Sequence, residues 1–181
     1  MGKIKFNLAG WKEKLHNGAD INKPDETGHT ALEQAVCANS IRGIKFCLRH
    51  GADINQKDKY GNTPLHYSSF VFTMEDMKII MALIKLGADV NIKNNSGETA
   101  LYTAVCDCSY EVVKVFIDAG ADVNAKYSLG NTILHEASGF NIRPEVIKLL
   151  INAGADVNAI NKDGETPLMH ACFHNDNIKI I

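Results

Sequence analysis

The pentapeptide GADVN at 87–91 returns unchanged at 120–124 and 154–158, and with isoleucine as GADIN at 18–22 and 51–55. The glycines opening the five copies stand 33, 36, 33 and 34 positions apart. A second motif keeps the same beat: GHTALE from Gly28, GNTPLH from Gly61, GETALY from Gly97, GNTILH from Gly130 and GETPLM from Gly164. Two motifs in fixed phase make the chain an array of similar units, and a period of this length marks a stacked repeat architecture.

The residues predict what one unit contains. The motif threonine is a good helix N-cap, because its hydroxyl accepts a bond from an unpaired amide of the first turn. Pro64 and Pro167 then fall at the first helical position, where a missing amide is harmless. The next residue, Leu at 32, 65, 101, 134 and 168, is expected to point inward. Downstream, in EVVKVFIDAG, Val112, Val113, Val115, Phe116 and Ile117 recur at helical spacing around Glu111, Lys114 and Asp118, an amphipathic second helix. The motif glycine ends it by supplying the left-handed residue beyond the C-terminus. The Gly-, Asp- and Asn-rich segment that follows reads as a turn or short hairpin. One unit is therefore helix, turn, helix, hairpin, and neighbouring units must stack to bury their apolar faces.

Thr63-Pro64-Leu65-His66, the small Ser68 and Ser69, and LIKLGADVN at 83–91 resemble the ankyrin repeat proteins over nearly the whole chain. Single copies depart from the pattern: Glu33, Tyr102 and Met169 replace its histidine, and Ala31, Ala100 and Ile133 its proline. The resemblance implies an all-α solenoid of stacked helix-turn-helix repeats with projecting β-hairpin loops. It is expected to form one domain over 1–181, with full repeats at 28–60, 61–96, 97–129 and 130–163 and partial repeats at 1–27 and 164–181. Opening and closing in mid-repeat, the sequence reads as a piece of a longer protein, the alternative being an unusual terminal cap.

Composition narrows the function classes. The formal net charge is -2, from 19 basic and 21 acidic residues that alternate along the chain, which argues against a nucleic-acid partner. No apolar run is long enough for a membrane span, and MGKIKFNLAG lacks the apolar core of a secretory signal. Five cysteines, odd in number and set among apolar helical residues, argue against a disulfide framework and for a reducing, cytoplasmic compartment. Lysine outnumbers arginine, and Ile and Asn are abundant; similar proteins of intracellular bacteria and large DNA viruses share this usage, and many act on host proteins. A host-directed effector is the implied role.

No residue set points to catalysis. His170 and His174 share a helix face, but the glutamate of a zinc-protease motif and a third ligand are missing, and Cys106 and Cys108 lack a second cysteine pair, so no metal site or cofactor is expected. In similar proteins the motif histidine, here His66 and His135, bonds toward the neighbouring repeat. Partners are gripped by the hairpin tips and the exposed first-helix face, which in this numbering gives Lys59, Tyr60, Asn62, Phe70, Ser96, Glu98, Asp107, Leu129, Asn131, Phe140 and Phe173. Tyr60, Phe70, Leu129, Phe140 and Phe173 are apolar where solvent exposure is expected, as at an interaction site; Phe70 and Phe140 could equally fold back over the helix turn. The resemblance also marks Asn55, Asn91, Asn124 and Asn158 as positions that asparaginyl hydroxylases modify. The expected function is non-catalytic binding of another protein by a monomer. The alternative is the ankyrin portion of a larger enzyme, channel or secreted effector.

Overall fold

The computed structural model describes residues 5–69, 74–106, 110–139 and 143–174. The chain divides into two compact units, Met1–Asn94 and Asn95–Ile181. The first holds α1 (Leu8–His16), α2 (Ala31–Cys37), α3 (Ile41–Arg49), α4 (Pro64–Ser68) and α5 (Met74–Lys85). The second holds α6 (Ala100–Cys106), α7 (Tyr110–Asp118), α8 (Ile133–Gly139), α9 (Pro144–Asn152) and α10 (Pro167–His174). Both units are all-α. The segments expected as β-hairpins are tight turns: the described residues contain no strand, only an isolated antiparallel bridge between Lys126 and Thr132.

Each short helix is opened by its threonine. The Thr30 hydroxyl accepts the Glu33 N–H at 3.3 Å, and the Glu33 carboxylate accepts the Thr30 N–H at 2.7 Å, a reciprocal cap on α2. Histidine takes the place of that glutamate in two other repeats. His66 Nδ1 accepts the Thr63 N–H at 3.1 Å and lies 2.9 Å from the Thr63 hydroxyl, and His135 repeats both distances with Thr132. An accepting Nδ1 leaves the proton on Nε2, so His135 Nε2 donates to the Glu165 carbonyl of the next repeat at 3.0 Å. The histidines are structural pins.

The second helices end as the glycine predicts. Gly51 has φ +85° and Gly120 φ +86°, a conformation costly for any residue with a Cβ. In it the Ala52 N–H reaches the Cys47 carbonyl at 3.0 Å and the Ala121 N–H the Phe116 carbonyl at 3.0 Å, closing both helices. The aspartate that follows accepts the N–H of the asparagine two residues on, at 2.9 Å in each of Asp20, Asp53, Asp89, Asp122 and Asp156. That turn aims the asparagine at the next repeat. Asn22 donates to the Gly51 carbonyl and accepts the Asp53 N–H, both at 2.9 Å; Asn55 accepts the Asp89 N–H at 2.9 Å. In the second unit Asn124 donates to the Gly154 carbonyl at 2.9 Å and accepts the Asp156 N–H at 2.8 Å.

In the first unit α2 packs on α3 and α4, and α4 on α5, burying Leu32, Ile44, Leu65, Ile79 and Leu83. In the second, α6 packs on α7 and α8, α8 on α9 and α10, and α7 on α9, burying Leu101, Phe116, Ile133 and Leu150. The four inward leucines 32, 65, 101 and 134 are at most 2% exposed. Leu168 corrects the expectation at 55% exposed. Helix α10 rests on α8 through Ala171, and among the described residues no second helix covers its other side. Accordingly Leu65→Ala and Leu101→Ala should each cost ~2–5 kcal/mol, as truncated buried leucines do, and Leu168→Ala less than about 0.5 kcal/mol. Urea melts of the three variants check this, and equal losses would place Leu168 in a core.

Candidate protein-binding surface

The tips between repeats are built by the residue three positions before the second-motif glycine. Asp58 shows the pattern: the Gly61 N–H bonds its carbonyl at 3.0 Å, while its Oδ1 accepts the N–H groups of Tyr60 at 2.9 Å and Asn62 at 2.8 Å. Its other oxygen accepts the Tyr67 hydroxyl, and burial together with that bond pushes the Tyr67 phenol well above its ordinary value. Asp25 accepts the Thr27 N–H and hydroxyl and the His29 N–H, and these bonds, the Thr27 hydroxyl first, hold its carboxyl below the ordinary value. Asn161 accepts the N–H groups of Asp163 at 3.0 Å and Glu165 at 2.9 Å.

One tip breaks the pattern. Tyr127 stands where the others have Asp25, Asp58, Asn94 and Asn161, and its side chain carries no acceptor able to cap its own turn. Instead the ring is buried, 4.9 Å from that of Tyr102, with its hydroxyl 3.3 Å from Thr99 Oγ1; burial pushes the phenol up to about 12. The tip becomes a turn of 3-10 helix, Ser128–Gly130, in which Leu129 takes the left-handed φ of +58°.

The expected contact residues separate on this frame. Tyr60 is 59% exposed at its tip, with the Lys59 ammonium 4.9 Å from its ring centroid. Asn62 beside it is half-buried and accepts from Asn94 Nδ2 at 3.0 Å. In the second unit Ser96 is exposed and its carbonyl accepts the Ser128 hydroxyl at 3.2 Å; Glu98 is half-buried. Leu129 is 58% exposed, and its carbonyl accepts the Lys162 N–H at 2.8 Å. Asn131 departs from the expectation of an open contact. It is buried, with its carboxamide held between Asn161 Nδ2 at 2.8 Å and Glu136 Oε1 at 3.0 Å. Phe173 is exposed on α10, the first helix of its repeat. Phe70, Asp107 and Phe140 lie outside the described residues. Of the four asparagines marked for hydroxylation, Asn91, Asn124 and Asn158 are exposed and Asn55 half-buried.

Sequence reading missed Tyr127, although the signal was present: an aromatic where four equivalents are Asp or Asn. It also missed a groove of about 460 Å³ in the second unit, lined by Tyr110 and Glu111 of α7 and by Arg143, Glu145, Lys148, Leu149 and Asn152 at α9. The polar groups of the tips are engaged in holding turns. Tyr60 and Leu129 present exposed apolar side chains at their tips.

The family pattern described as Ankyrin repeats (3 copies) matches residues 7–71, 70–127 and 124–181. Over 110 residues, 59% of this chain and 37% of the relative, the chain is 34% identical to an interferon antagonist of vaccinia virus (strain Western Reserve), and by the same measures to one of monkeypox virus. It is 56% identical over 34 residues, 19% of this chain and 13% of the relative, to an ankyrin repeat protein of fowlpox virus (strain NVSL). The chain thus spans little more than a third of the length of the two interferon antagonists. With the pattern matched along nearly its whole length and the same capped helix pairs in both units, the chain belongs to the ankyrin repeat family.

Proposed function

We propose that this chain is a non-catalytic, monomeric protein-binding module that grips a host protein by its repeat tips and thereby blunts the response to interferon. The observation that carries the binding reading is the pair of apolar side chains at the tips. Tyr60 and Leu129 are 59% and 58% exposed at a position where the other copies carry Thr27, Ser96 and Asp163, and exposed aromatic and aliphatic anchors concentrate binding energy. The interferon reading rests on the named activity of the two poxviral relatives. Near-balanced charge favours a protein partner over a polyanion. A second reading has one observation in its favour: a chain covering 37% of those relatives fits the targeting portion of a larger effector inside the host cell, with activity carried elsewhere.

The chain expressed in human cells with an interferon-stimulated reporter should lower the reporter signal. Tyr60→Ser should weaken partner binding roughly fivefold or more, the consequence of losing an anchor worth over about 1 kcal/mol, while its melt stays within about 0.5 kcal/mol of the parent. A reporter unmoved by the parent chain removes the interferon reading. Undiminished suppression by a folded Tyr60→Ser chain moves the contact away from the 59–62 tip.

Asn55, Asn91, Asn124 and Asn158 are further proposed as substrates of a cytosolic asparaginyl hydroxylase. The carboxamides of Asn55 and Asn124 hold the following repeat and must release it to enter an active site, whereas the exposed Asn158 carboxamide bonds no described residue. Oxygen incorporation, followed by peptide mass spectrometry, should therefore appear on Asn158 before Asn55 or Asn124. No incorporation at any of the four excludes the enzyme as a partner.

A further inference from the structure

Asn17-Gly18 is the sole Asn-Gly dipeptide in the chain. It stands where α1 ends, at the position that His50, Leu86, Ala119 and Ala153 hold before the motif glycines of the other repeats. An asparagine here sets a carboxamide carbon beside a backbone nitrogen that no side chain obstructs, the pairing in which asparagine loses its amide most readily. The Asn17 side chain is exposed and makes no hydrogen bond with a described residue. Around Gly18 the space is open, with nothing within 4 Å of where a Cβ would stand.

The closed helix end holds that nitrogen in check. Asn17 ends α1 with φ -86° and ψ 13°, and Gly18 follows at φ +82°. In this geometry the Gly18 N–H donates to the Leu15 carbonyl and the Ala19 N–H to the Lys14 carbonyl, each at 3.0 Å. The Gly18 nitrogen turns to the carboxamide carbon only when those bonds open. Helix α1 keeps them closed weakly: Trp11 is its one buried residue, tied to α2 by a bond from the indole N–H to Gln34 Oε1 at 3.1 Å. A helix held at one point opens locally at far lower cost than the whole domain unfolds.

We propose that Asn17 and Gly18 form a self-modifying site that frees α1 from the first unit as the protein ages. When the helix end opens, the Gly18 nitrogen gives up its proton to water and bonds to Asn17 Cγ; the bond from Cγ to the amide nitrogen breaks, ammonia leaves, and a cyclic imide remains. Water then opens the imide at either carbonyl, giving aspartate, or isoaspartate with the main chain rerouted through the side chain. The net change is one water consumed and one ammonia released, with no oxidation. Both products set a carboxylate against the negative C-terminal end of α1, and the longer isoaspartyl backbone carries the Gly18 and Ala19 N–H groups away from their acceptors. Just beyond lie Asp20, which aims Asn22, and the Asn22 bonds to Gly51 and Asp53 that join this turn to the next repeat. The result is a one-way loosening of the α1 end, and it does not depend on the protein-binding reading.

The full chain is aged at physiological temperature and neutral pH, in buffer and in urea. Each asparagine is followed by peptide mass spectrometry, and isoaspartate is marked with a protein isoaspartyl methyltransferase. In buffer, Asn17 should convert severalfold faster than the exposed Asn39 and Asn95, each of which precedes a serine. Its rate in buffer should lie below its rate in urea by the protection that amide exchange reports for the Gly18 N–H, because both processes wait on the same opening. The converted chain, separated by its added negative charge, should exchange its α1 amides severalfold faster than the unconverted chain, with those of α3 unchanged. Asn17→Ala, which places here the residue found at 119 and 153, should stay unconverted and keep its α1 exchange constant with age. Conversion in urea but not in buffer would show that α1 shields the pair, which overturns the proposal. So would a converted chain whose α1 amides exchange as slowly as before, or α1 exchange that quickens equally in aged Asn17→Ala.

Discussion

A single carboxamide governs how one repeat is joined to the next. Asn22 and Asn124 each offer an N–H to a glycine carbonyl and an oxygen to an aspartate N–H one repeat further on. Those two backbone groups lie just past a helix end, where the peptide chain has no helical partner for them. The side chain that meets them must be short, must both donate and accept, and must be aimed by a turn that starts from a left-handed glycine. Gly-Ala-Asp-Val-Asn satisfies each demand in order: glycine closes the helix, aspartate fixes the turn, the apolar residue is buried at Ile21, Val90 and Val123, and asparagine bridges. Lysine adds a second lacing further along, from Lys57 Nζ to the Lys93 carbonyl at 2.8 Å.

Because stacking is set by these bridges, polar residues that look chemical in the sequence turn out to be structural. His66 and His135 fix helix starts, and the Asn131–Asn161 pair is buried between two glutamates that complete its bonding. Glu33 shows what the exchange costs. It caps α2 as histidine does elsewhere, but it offers an acceptor where His135 has a donor, and its Oε1 is buried without a hydrogen-bond partner. A ring N–H can pin the next repeat; a carboxylate cannot.

Much of this was legible beforehand. The helix starts at Thr30 and Thr63, the left-handed glycines and the inward leucines of the central repeats follow from local chemistry that acts within a few residues. The turns read as hairpins were less legible, since an Asp or Asn side chain that caps its own turn removes the need for a strand ladder, and composition does not separate the two. Leu168 was misread because an inward position is buried only when a neighbour covers it, a property of the stack rather than of the residue. Asn131 was misread for the opposite reason: its bond to Asn161 joins residues 30 positions apart.

The tip residues sit where neither kind of reasoning is complete. A repeat array gives every position a set of internal equivalents, and agreement among them measures what folding requires. Where all copies agree, as at the bridging asparagine, the residue serves the stack. Where one copy departs and local stability suffers for it, as when Tyr127 replaces an Asx cap and Leu129 is left strained and exposed, the folding requirement no longer accounts for the side chain. Violations of local rules of this kind concentrate at functional positions. The regular part of the pattern therefore locates the fold, and its departures from itself locate the surface on which a partner is to be sought.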